Sequence, residues 1–191
     1  MQPESYLEHE TARRILEEGW KLFQQKGYRG VSVDELCLRC ALTKPTLYYY
    51  FQDKENLFVQ VLQYKLHGFR EVIERPGSLS ERLEAVAAEI LDSFQTEYTA
   101  ILRDREHLKK LESMQRIRDA FHDELLGPLI ALMRENIAAG WLRGGDPRAL
   151  TLIFLGSVNN FIGKAEELGS DHRQLARMVT DYFLEGARSR D

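Results

Sequence analysis

Cysteine, proline and long apolar runs are scarce in this sequence. Of its 191 residues, two are cysteine and five are proline. Two cysteines cannot form a disulfide framework, and so few prolines leave long segments in which a helix can continue. No apolar run approaches the roughly 20 residues that a membrane-spanning helix needs, and the first ten residues, MQPESYLEHE, are polar and acidic, unlike a signal peptide. A cytoplasmic location is therefore the expectation.

Motifs of common catalytic sites are also missing. The sequence contains no G-x-S-x-G, no phosphate-binding P-loop and no G-x-G-x-x-G. Its five histidines do not have the spacing of a metal site. We therefore expect a protein that is not an enzyme and that uses no cofactor and no metal.

An excess of positive charge, which many nucleic-acid-binding proteins have, is absent too. The formal net charge is −4, and residues 1–55 hold eight basic against nine acidic side chains, a balance of −1. Net charge averages away local patches, so it argues only weakly against a nucleic-acid partner. Any contact with DNA must then come from a few well-placed side chains.

Apolar residues recur at helical spacing through most of the chain. With 43% hydrophobic and 29% charged residues, the composition is that of an ordinary globular protein. The pattern predicts an all-α fold of about nine helices, without strands or internal repeats. The clearest helices are expected at about 11–26, 32–40, 43–51, 53–74, 80–98, 114–142 with a kink at Gly127-Pro128, 147–168 and 173–188.

The second and third predicted helices are close enough in sequence to form a helix-turn-helix. Ser32-Val-Asp-Glu35 has the pattern of a capping box, in which the hydroxyl caps the helix and the glutamate reaches back. After a tight link, Thr43 can cap the next helix. Ser32–Phe51 is therefore a helix-turn-helix candidate, with the helix at 11–26 packed behind it.

Four aromatic residues in a row, Tyr48 to Phe51, cannot all be buried by one helix, because successive side chains point about 100° apart. Leu47 and Phe51 share one face at i and i+4, with Tyr50 beside them. This layout is typical of a recognition helix, in which one face packs on the scaffold and the other meets the major groove. The outer face then carries Lys44, Thr46, Tyr48 and Tyr49.

Three segments of residues 11–60 carry a resemblance to a known family. They are V-S-V-D-E-L at 31–36, L-T-K-P-T-L-Y-Y-Y-F at 42–51 and K-E-N-L-F at 54–58. The sequence around them, about residues 11–60, resembles the N-terminal domain of the TetR/AcrR family of transcriptional repressors. The match has no gap over this range. Two positions depart from the usual pattern, since Ala41 and Pro45 stand where glycine is common.

The resemblance implies a helix-turn-helix DNA-binding domain at 1–52 and a helical ligand-binding and dimerisation domain at 53–191. It implies a homodimeric transcriptional repressor that a small-molecule ligand releases from a palindromic operator in double-stranded DNA. Because the N-terminal domain is not net basic, an all-helical interaction scaffold without specific DNA binding is the alternative. The implied DNA-binding residues are Ser32, Thr43, Lys44, Pro45, Thr46, Tyr48, Tyr49 and Lys54, of which Ser32, Tyr48 and Lys54 would contact phosphates and Pro45 and Tyr49 bases.

The helix predicted at 147–168 is apolar nearly all round, so it needs cover from its own domain and from a partner. By resemblance, it and the last helix would pair with their counterparts in a homodimer. Burial within a single chain is the alternative. Gly156 and Gly163, seven residues apart, would permit close approach of the partner helix. The expected interface residues are Ile153, Gly156, Asn160, Gly163, Val179, Tyr182 and Phe183.

Members of the family usually hold their ligand inside the C-terminal domain. An aromatic stripe at helical spacing is more often core than pocket, so each candidate has core packing as its alternative. The candidate ligand-binding residues are Phe69, Phe94, Tyr98, Met114, Phe121, His122 and Phe154.

Cys37-Leu-Arg-Cys40 is a C-x-x-C inside a short predicted helix. No second pair follows that could complete a zinc site. Packing in the helix core is the expectation, and a thiol sensor is the alternative.

Overall fold

A computed structural model describes residues 10–95 and 104–187, except for the side chain of residue 105. A 3-10 turn at Asp104–His107 precedes α7, and a π-helical turn at His122–Leu126 links α7 to α8. The predicted all-α fold class is confirmed. None of the helices in the described ranges has the length and apolar character needed to cross a bilayer. The helices are α1 Glu10–Gly30, α2 Val33–Arg39, α3 Lys44–Phe51, α4 Lys54–Leu66, α5 Phe69–Glu74, α6 Leu79–Ser93, α7 Leu111–Phe121, α8 Gly127–Ala138, α9 Pro147–Asn159 and α10 His172–Ala187.

The described residues form two compact units. The first contains α1 to α4 together with residues 104–120, and the second contains α5, α6 and residues 121–187. Compactness shows which helices pack together, not which of them bind DNA. The functional division at residues 52 and 53 therefore stays a prediction.

The first unit is built on the packing of α1 along α4. Phe23 meets Phe58 edge-on, with ring centroids 4.9 Å apart, and both rings are buried. Gly19 lets the two helices approach closely, because a Cβ there would lie 3.1 Å from Cγ2 of Val61. α3 contacts both α2 and α4, so this pair of long helices supports the short ones.

The last turn of α1 is interrupted at Gly27, as the sequence predicts. Its φ of 67° and ψ of 172° are not helical. The backbone N–H of Tyr28 is free of the helix as a result, and it donates to Oδ2 of Asp104 at 2.7 Å. A Cβ on residue 27 would lie 3.0 Å from the same carboxylate oxygen. Glycine thus ends the regular helix and admits the turn at 104–107.

The second unit is held together by α6, which packs against both α10 and α5, while α8 packs against α9. The side chains of Leu83, Val86 and Ile90 on α6 are fully buried. Phe154 and Phe183 join α9 to α10 with ring centroids 5.3 Å apart. Apolar spacing on the sequence anticipates this core.

Several predicted helix limits are wrong, among them the end near residue 98 of the helix that stops at Ser93. The helix expected to run to about residue 74 breaks at Gly68, whose φ of 97° belongs to the left-handed region. α6 begins with a capping box formed by Ser78 and Glu81, not at Ser80. α9 ends at Asn159 and not near residue 168, because Gly163 adopts a φ of 74° within a series of turns.

Candidate nucleic-acid interface

The turn between α2 and α3 is closed by two backbone hydrogen bonds. The N–H of Leu42 donates to the carbonyl of Cys37 at 3.0 Å, and the N–H of Ala41 donates to that of Leu38 at 3.2 Å. This is the Schellman pattern of a helix C-terminus, in which the residue after the cap is left-handed and usually glycine. Here that residue is Ala41, with a φ of 49°. The missing glycine therefore leaves the turn intact but strained.

Replacing Ala41 with glycine is expected to raise the free energy of unfolding by about 0.5–1 kcal/mol. The left-handed conformation costs a residue with a Cβ roughly 1–2 kcal/mol, and the greater freedom of glycine in the unfolded chain offsets part of the gain. Urea denaturation followed by circular dichroism measures the change. Ala85→Gly, in the regular interior of α6, is the control and should be destabilising. A loss of stability in Ala41→Gly would contradict the strain.

One face of α3 is buried against the rest of the unit, and the opposite face is exposed to solvent. Thr43 caps it by accepting the N–H of Thr46 at 3.4 Å, and Leu47 and Phe51 are fully buried. Tyr48 and Tyr49 are 41% and 79% exposed. The structure thus places the two tyrosines on the outer flank, as the sequence predicts.

The other residues of the predicted contact set lie on the same short helix or beside it. Lys44, Pro45 and Thr43 are exposed and Thr46 is half-buried. Ser32 is exposed and accepts the N–H of Glu35 at 3.1 Å, so it caps α2. The helix-turn-helix therefore presents both helix N-termini with polar side chains. Whether these residues bind DNA stays a prediction.

The capping box predicted for α2 is only half formed. Its hydroxyl half is present at Ser32, but the carboxylate of Glu35 pairs with Nζ of Lys26 at 2.5 Å instead of reaching back. A cation on α1 within reach of a carboxylate offers it a stronger, charge-assisted bond than a neutral N–H does.

Between α3 and α4 the chain reverses within two residues. The N–H of Asp53 donates to the carbonyl of Phe51 at 2.7 Å, and Gln52 between them has a φ of 63° and a ψ of −54°. This γ-turn with positive φ is a strained conformation. Asp53 then caps α4 by accepting the N–H of Asn56 at 2.7 Å. The strained link and the strong cap fix α3 against the first turn of α4.

Basic side chains of this unit are largely neutralised by acids of the same unit. Lys44 pairs with Asp34 at 2.8 Å, and Glu18 serves both Lys21 at 2.7 Å and Arg39 at 3.7 Å. Such exposed pairs add little stability, but they cancel the positive field that would attract a polyanion. The charge balance of −1 over residues 1–55 is therefore accompanied by pairing of basic with acidic side chains.

The side chain of Lys54 already contacts a neighbouring ring, which the sequence does not indicate. Its ammonium lies 4.6 Å from the centre of the Tyr28 ring. Burial lowers the pKa of Lys54, although the Asp104 carboxylate acts in the opposite direction. A phosphate contact by Lys54 would therefore exchange a cation–π contact for a charge-assisted hydrogen bond.

The two cysteines of the C-x-x-C are both buried and both free. Burial raises the pKa of the Cys40 thiol to about 11 and raises that of Cys37 as well. The thiolate is the reactive form, so these environments suppress redox chemistry at neutral pH. Their packing role agrees with the expectation from sequence. Within the described parts of the chain, no cluster of three or more His, Cys, Asp or Glu is placed to hold a metal ion.

The predicted ligand-binding residues occupy different environments. Phe69, Phe94 and Phe154 are buried, with Phe154 packed on Phe183, so each serves the core of the second unit. His122 is exposed, and its Nδ1 lies 3.1 Å from Oδ1 of the adjacent Asp123. Phe121 also belongs to the second unit and is half-buried, whereas Met114 belongs to the first, and Tyr98 lies outside the described residues. Their role as a ligand site stays a prediction.

An apolar groove of about 370 Å³ runs between α9 and α10. Ile153 and Tyr182 line it and are 57% and 73% exposed, although both are large and apolar in character. No atom lies within 4 Å of a Cβ built on Gly156, so α9 has open space on that side. The groove is lined by Arg143, Leu150, Ile153, Ser157, Phe161, Met178, Val179, Tyr182, Phe183, Gly186 and Ala187.

Some of the predicted interface residues on α9 and α10 are exposed and others are buried. Val179 and Phe183 are mostly buried and form the floor of the groove, and Asn160 is exposed just after α9. The predicted pairing of Gly163 with Gly156 on one helix face is wrong, because α9 has ended before residue 163. Gly163 is instead a left-handed turn residue whose Cβ would lie 3.2 Å from the carbonyl oxygen of Gln95.

Comparison with known proteins places this helix-turn-helix in a family. Residues 15–61 match the family described as "Bacterial regulatory proteins, tetR family". The transcriptional regulator RutR of Escherichia coli K12 is 26% identical over 172 residues, covering 82% of this chain and 76% of RutR. The TetR family regulator PfmR of Thermus thermophilus has a TM-score of 0.72 at 26% identity, over 90% of this chain and 97% of that one. Residues 15–61 are therefore the part of the chain that carries the likeness to the TetR family of transcriptional regulators.

All eight residues predicted to contact DNA lie inside the TetR-family match, between Ser32 and Lys54. A second solved structure, AibR in complex with isovaleryl coenzyme A and operator DNA, has a TM-score of 0.71 at 25% identity, over 91% of this chain and 97% of that one. Together these likenesses support a TetR-family transcriptional regulator with a DNA-binding helix-turn-helix.

Glu55 is a residue of this TetR-family domain that the sequence does not single out. Its two carboxylate oxygens accept the backbone N–H groups of Lys109 at 3.1 Å and Lys110 at 2.9 Å. Burial raises the pKa of Glu55, but these two bonds and one from Ser113 outweigh it, so the pKa is lowered. On the sequence, Glu55 looks like an ordinary acidic residue in the first turn of α4.

Three further hydrogen bonds fasten α7 and the residue before it to α4 and its N-cap. Asp53 accepts a hydrogen bond from Nζ of Lys110 at 2.6 Å. Arg116 donates to Oδ1 of Asn56 and to Oε1 of Gln63, both at 2.8 Å. Residues 104–120 are therefore tied to the helix that follows the recognition helix. A sequence separation of more than 50 residues leaves no local signal of these bonds.

Proposed function

We propose that this protein is a homodimeric repressor that binds a palindromic operator in double-stranded DNA and releases it when a small molecule binds. The observation that carries the proposal is the orientation of α3, with Leu47 and Phe51 buried and Tyr48 and Tyr49 exposed. A helix held in this way can enter a major groove without unfolding any part of its support.

The chemistry of the exposed residues fits a division of roles. The hydroxyl of Tyr48 and the ammonium of Lys54 suit phosphate oxygens, which fix the register of the protein on the duplex. The ring of Tyr49 and the ring of Pro45 suit apolar contact with a base edge such as a thymine methyl. The N-termini of α2 and α3, capped by Ser32 and Thr43, add backbone N–H groups and hydroxyls for phosphates, and Lys44 and Thr46 complete the set.

A second copy of the chain is the proposed cover of the α9–α10 face. Exposed large side chains at Ile153 and Tyr182, next to open space at Gly156, form an apolar surface that water solvates poorly. A twofold axis through such a face gives two recognition helices for successive major grooves, about 34–36 Å apart. Val179, Phe183 and Asn160 would line the same contact.

The proposed ligand response uses the fastening of α7 to α4. A ligand in the C-terminal domain, 53–191, that favours a different position of α7 must also move the first turn of α4 or break the bonds at Glu55 and Asp53. Either outcome changes the support of α3 in the DNA-binding domain, 1–52, so DNA affinity falls by linkage. AibR, bound to both a coenzyme A ester and operator DNA, is a precedent for such a pair of ligands in this fold.

Selection of bound fragments from random DNA tests the proposal, followed by measurement of Tyr49→Ala on the selected sequence. We expect the selection to yield a palindrome and the variant to bind it about tenfold more weakly with altered base preference, since one good base contact contributes about 1–3 kcal/mol of discrimination. Tyr49 is too exposed for its loss to unfold the helix.

Leu38→Ala is the matched control, because Leu38 is an even more exposed side chain on α2 and is outside the proposed contact set. It should leave the base preference unchanged. If no sequence is enriched at any salt concentration, the repressor proposal is refuted and the interaction scaffold is favoured.

A further inference from the structure

One ion pair lies in the middle of the proposed DNA-binding surface. Nζ of Lys44, the first residue of α3, is 2.8 Å from Oδ1 of Asp34, in the first turn of α2. The two side chains are 50% and 75% exposed, so the pair stands in solvent and is not part of the core. The carboxylate thus makes with Lys44 the same kind of charge-assisted hydrogen bond that an oxygen of a DNA phosphate would make.

Other groups around Lys44 do not substitute for this carboxylate. Asp34 is the hydrogen-bond partner of the ammonium, and the pKa of Lys44 is raised chiefly by that bond, with weaker contributions in the same direction from Tyr48 and Cys37. The next acid along α2, Glu35, is engaged by Lys26. Lys44 therefore has one acidic partner among these residues, and that partner is exposed.

We propose that Asp34 competes with operator phosphate for Lys44 and so limits the affinity of this protein for DNA. The inference rests on the proposed function, because it concerns the same surface. When DNA binds, Lys44 exchanges Asp34 for a phosphate, and Asp34 is left unpaired beside the negative backbone. Both steps oppose binding, the first by loss of an ion pair and the second by repulsion between like charges.

The exchange of Asp34 for a phosphate at Lys44 also changes how strongly the DNA affinity depends on salt concentration. A lysine that binds a phosphate releases about 0.9 of a counterion from duplex DNA. An unpaired Asp34 near the same phosphates keeps a cation in place and cancels most of that release. The Lys44–Asp34 pair together therefore adds little to the salt slope, although Lys44 makes a contact.

Asp34→Asn is the decisive variant, since asparagine has the same shape without the charge. On the selected operator we expect about three- to tenfold tighter binding, and a plot of log affinity against log salt that is steeper by roughly one unit. Titration by fluorescence anisotropy at several salt concentrations measures both. Circular dichroism establishes that the variant is folded.

Glu35→Gln is the matched control. It removes one negative charge one residue further along α2, but its carboxylate pairs with Lys26 and not with Lys44. A general effect of net charge would make both variants bind equally tightly. We expect Glu35→Gln to gain at most about twofold, because exposed charges act weakly at a distance in salt.

Lys44→Gln completes a double-mutant cycle. If Asp34 acts through Lys44, most of the gain from Asp34→Asn is lost when residue 44 is glutamine. Three results would each overturn the inference: an equal gain in affinity with lysine and with glutamine at residue 44, equal effects of Asp34→Asn and Glu35→Gln, or no gain in affinity at all. The repressor proposal would still stand in these cases, provided that the wild-type protein binds its operator. Absence of any selective binding by the wild-type protein would overturn both.

Discussion

Ile153→Glu is expected to abolish the proposed dimer and to lower the affinity for the selected operator about 100-fold or more. Ile153 is exposed on α9, so the monomer should fold normally. In the proposed dimer each copy would bury an unpaired carboxylate against an apolar surface, which strongly disfavours association. Without its partner, a recognition helix binds one half-site and loses the gain of roughly 10²–10⁴ that simultaneous binding of two half-sites gives.

Analytical ultracentrifugation and operator titration measure the two effects. Leu111→Glu is the matched control, because Leu111 is an exposed leucine of α7, outside α9 and α10. That variant should remain dimeric. Dimerisation of Ile153→Glu at the wild-type concentration would show that the groove between α9 and α10 is not the interface.

Glu55→Gln is expected to lower the free energy of unfolding by about 2 kcal/mol. The carboxylate accepts two backbone N–H groups with two separate oxygens, whereas an amide has one oxygen and one NH₂. One part-buried N–H therefore loses its acceptor, which costs about 1–3 kcal/mol. Urea denaturation measures the change, and the loss should include detachment of α7, seen as faster hydrogen exchange in residues 109–116.

The dependence of stability on pH gives a second test of Glu55. Its pKa in the folded protein is lower than in the unfolded chain, so the unfolded state binds more protons and stability rises with pH. The contribution is complete above the unfolded value of about 4.3 and is lost as pH falls through the folded value. Asp53, whose pKa is raised by burial but lowered more by Lys110 and Asn56, acts in the same sense.

Wild-type protein should therefore be destabilised by acid below about pH 4.5 more steeply than Glu55→Gln. Glu112→Gln is the control, since Glu112 is exposed in the first turn of α7. It should keep both the stability and the acid response of the wild type. Equal acid responses in the wild type and in Glu55→Gln would exclude the proposed role of the Glu55 carboxylate.

The recognition helix is the element that sequence pattern predicted best. Leu47 and Phe51 are one helical turn apart, and only one face of a helix this short can pack on its scaffold. Once those two are assigned inward, the positions of Tyr48 and Tyr49 follow from the 100° step. The cap at Thr43 and the stop at Gly27 are equally local, since each depends on the chemistry of one residue.

The incorrect predictions share a different cause. The break at Gly68 and the early end of α9 lie in segments whose apolar spacing continues past the break, so periodicity alone extends the helix. Glycine tolerates a helix interior as well as a left-handed turn, and the surrounding packing decides between them. For this reason periodicity extends the helix through Gly163, although the structure places it in a turn against Gln95.

The sequence by itself determined the helical class, the helix-turn-helix and the outward face of α3, because helix period, caps and turns depend on neighbours within about four residues. Only the tertiary structure showed that Lys44 is held by Asp34, that Glu55 caps the segment before α7 and that Ile153 and Tyr182 share one groove. Those facts join residues from 10 to more than 50 positions apart. The strength of a charge or hydrogen bond depends on distance and burial in space, and neither is encoded in the local pattern.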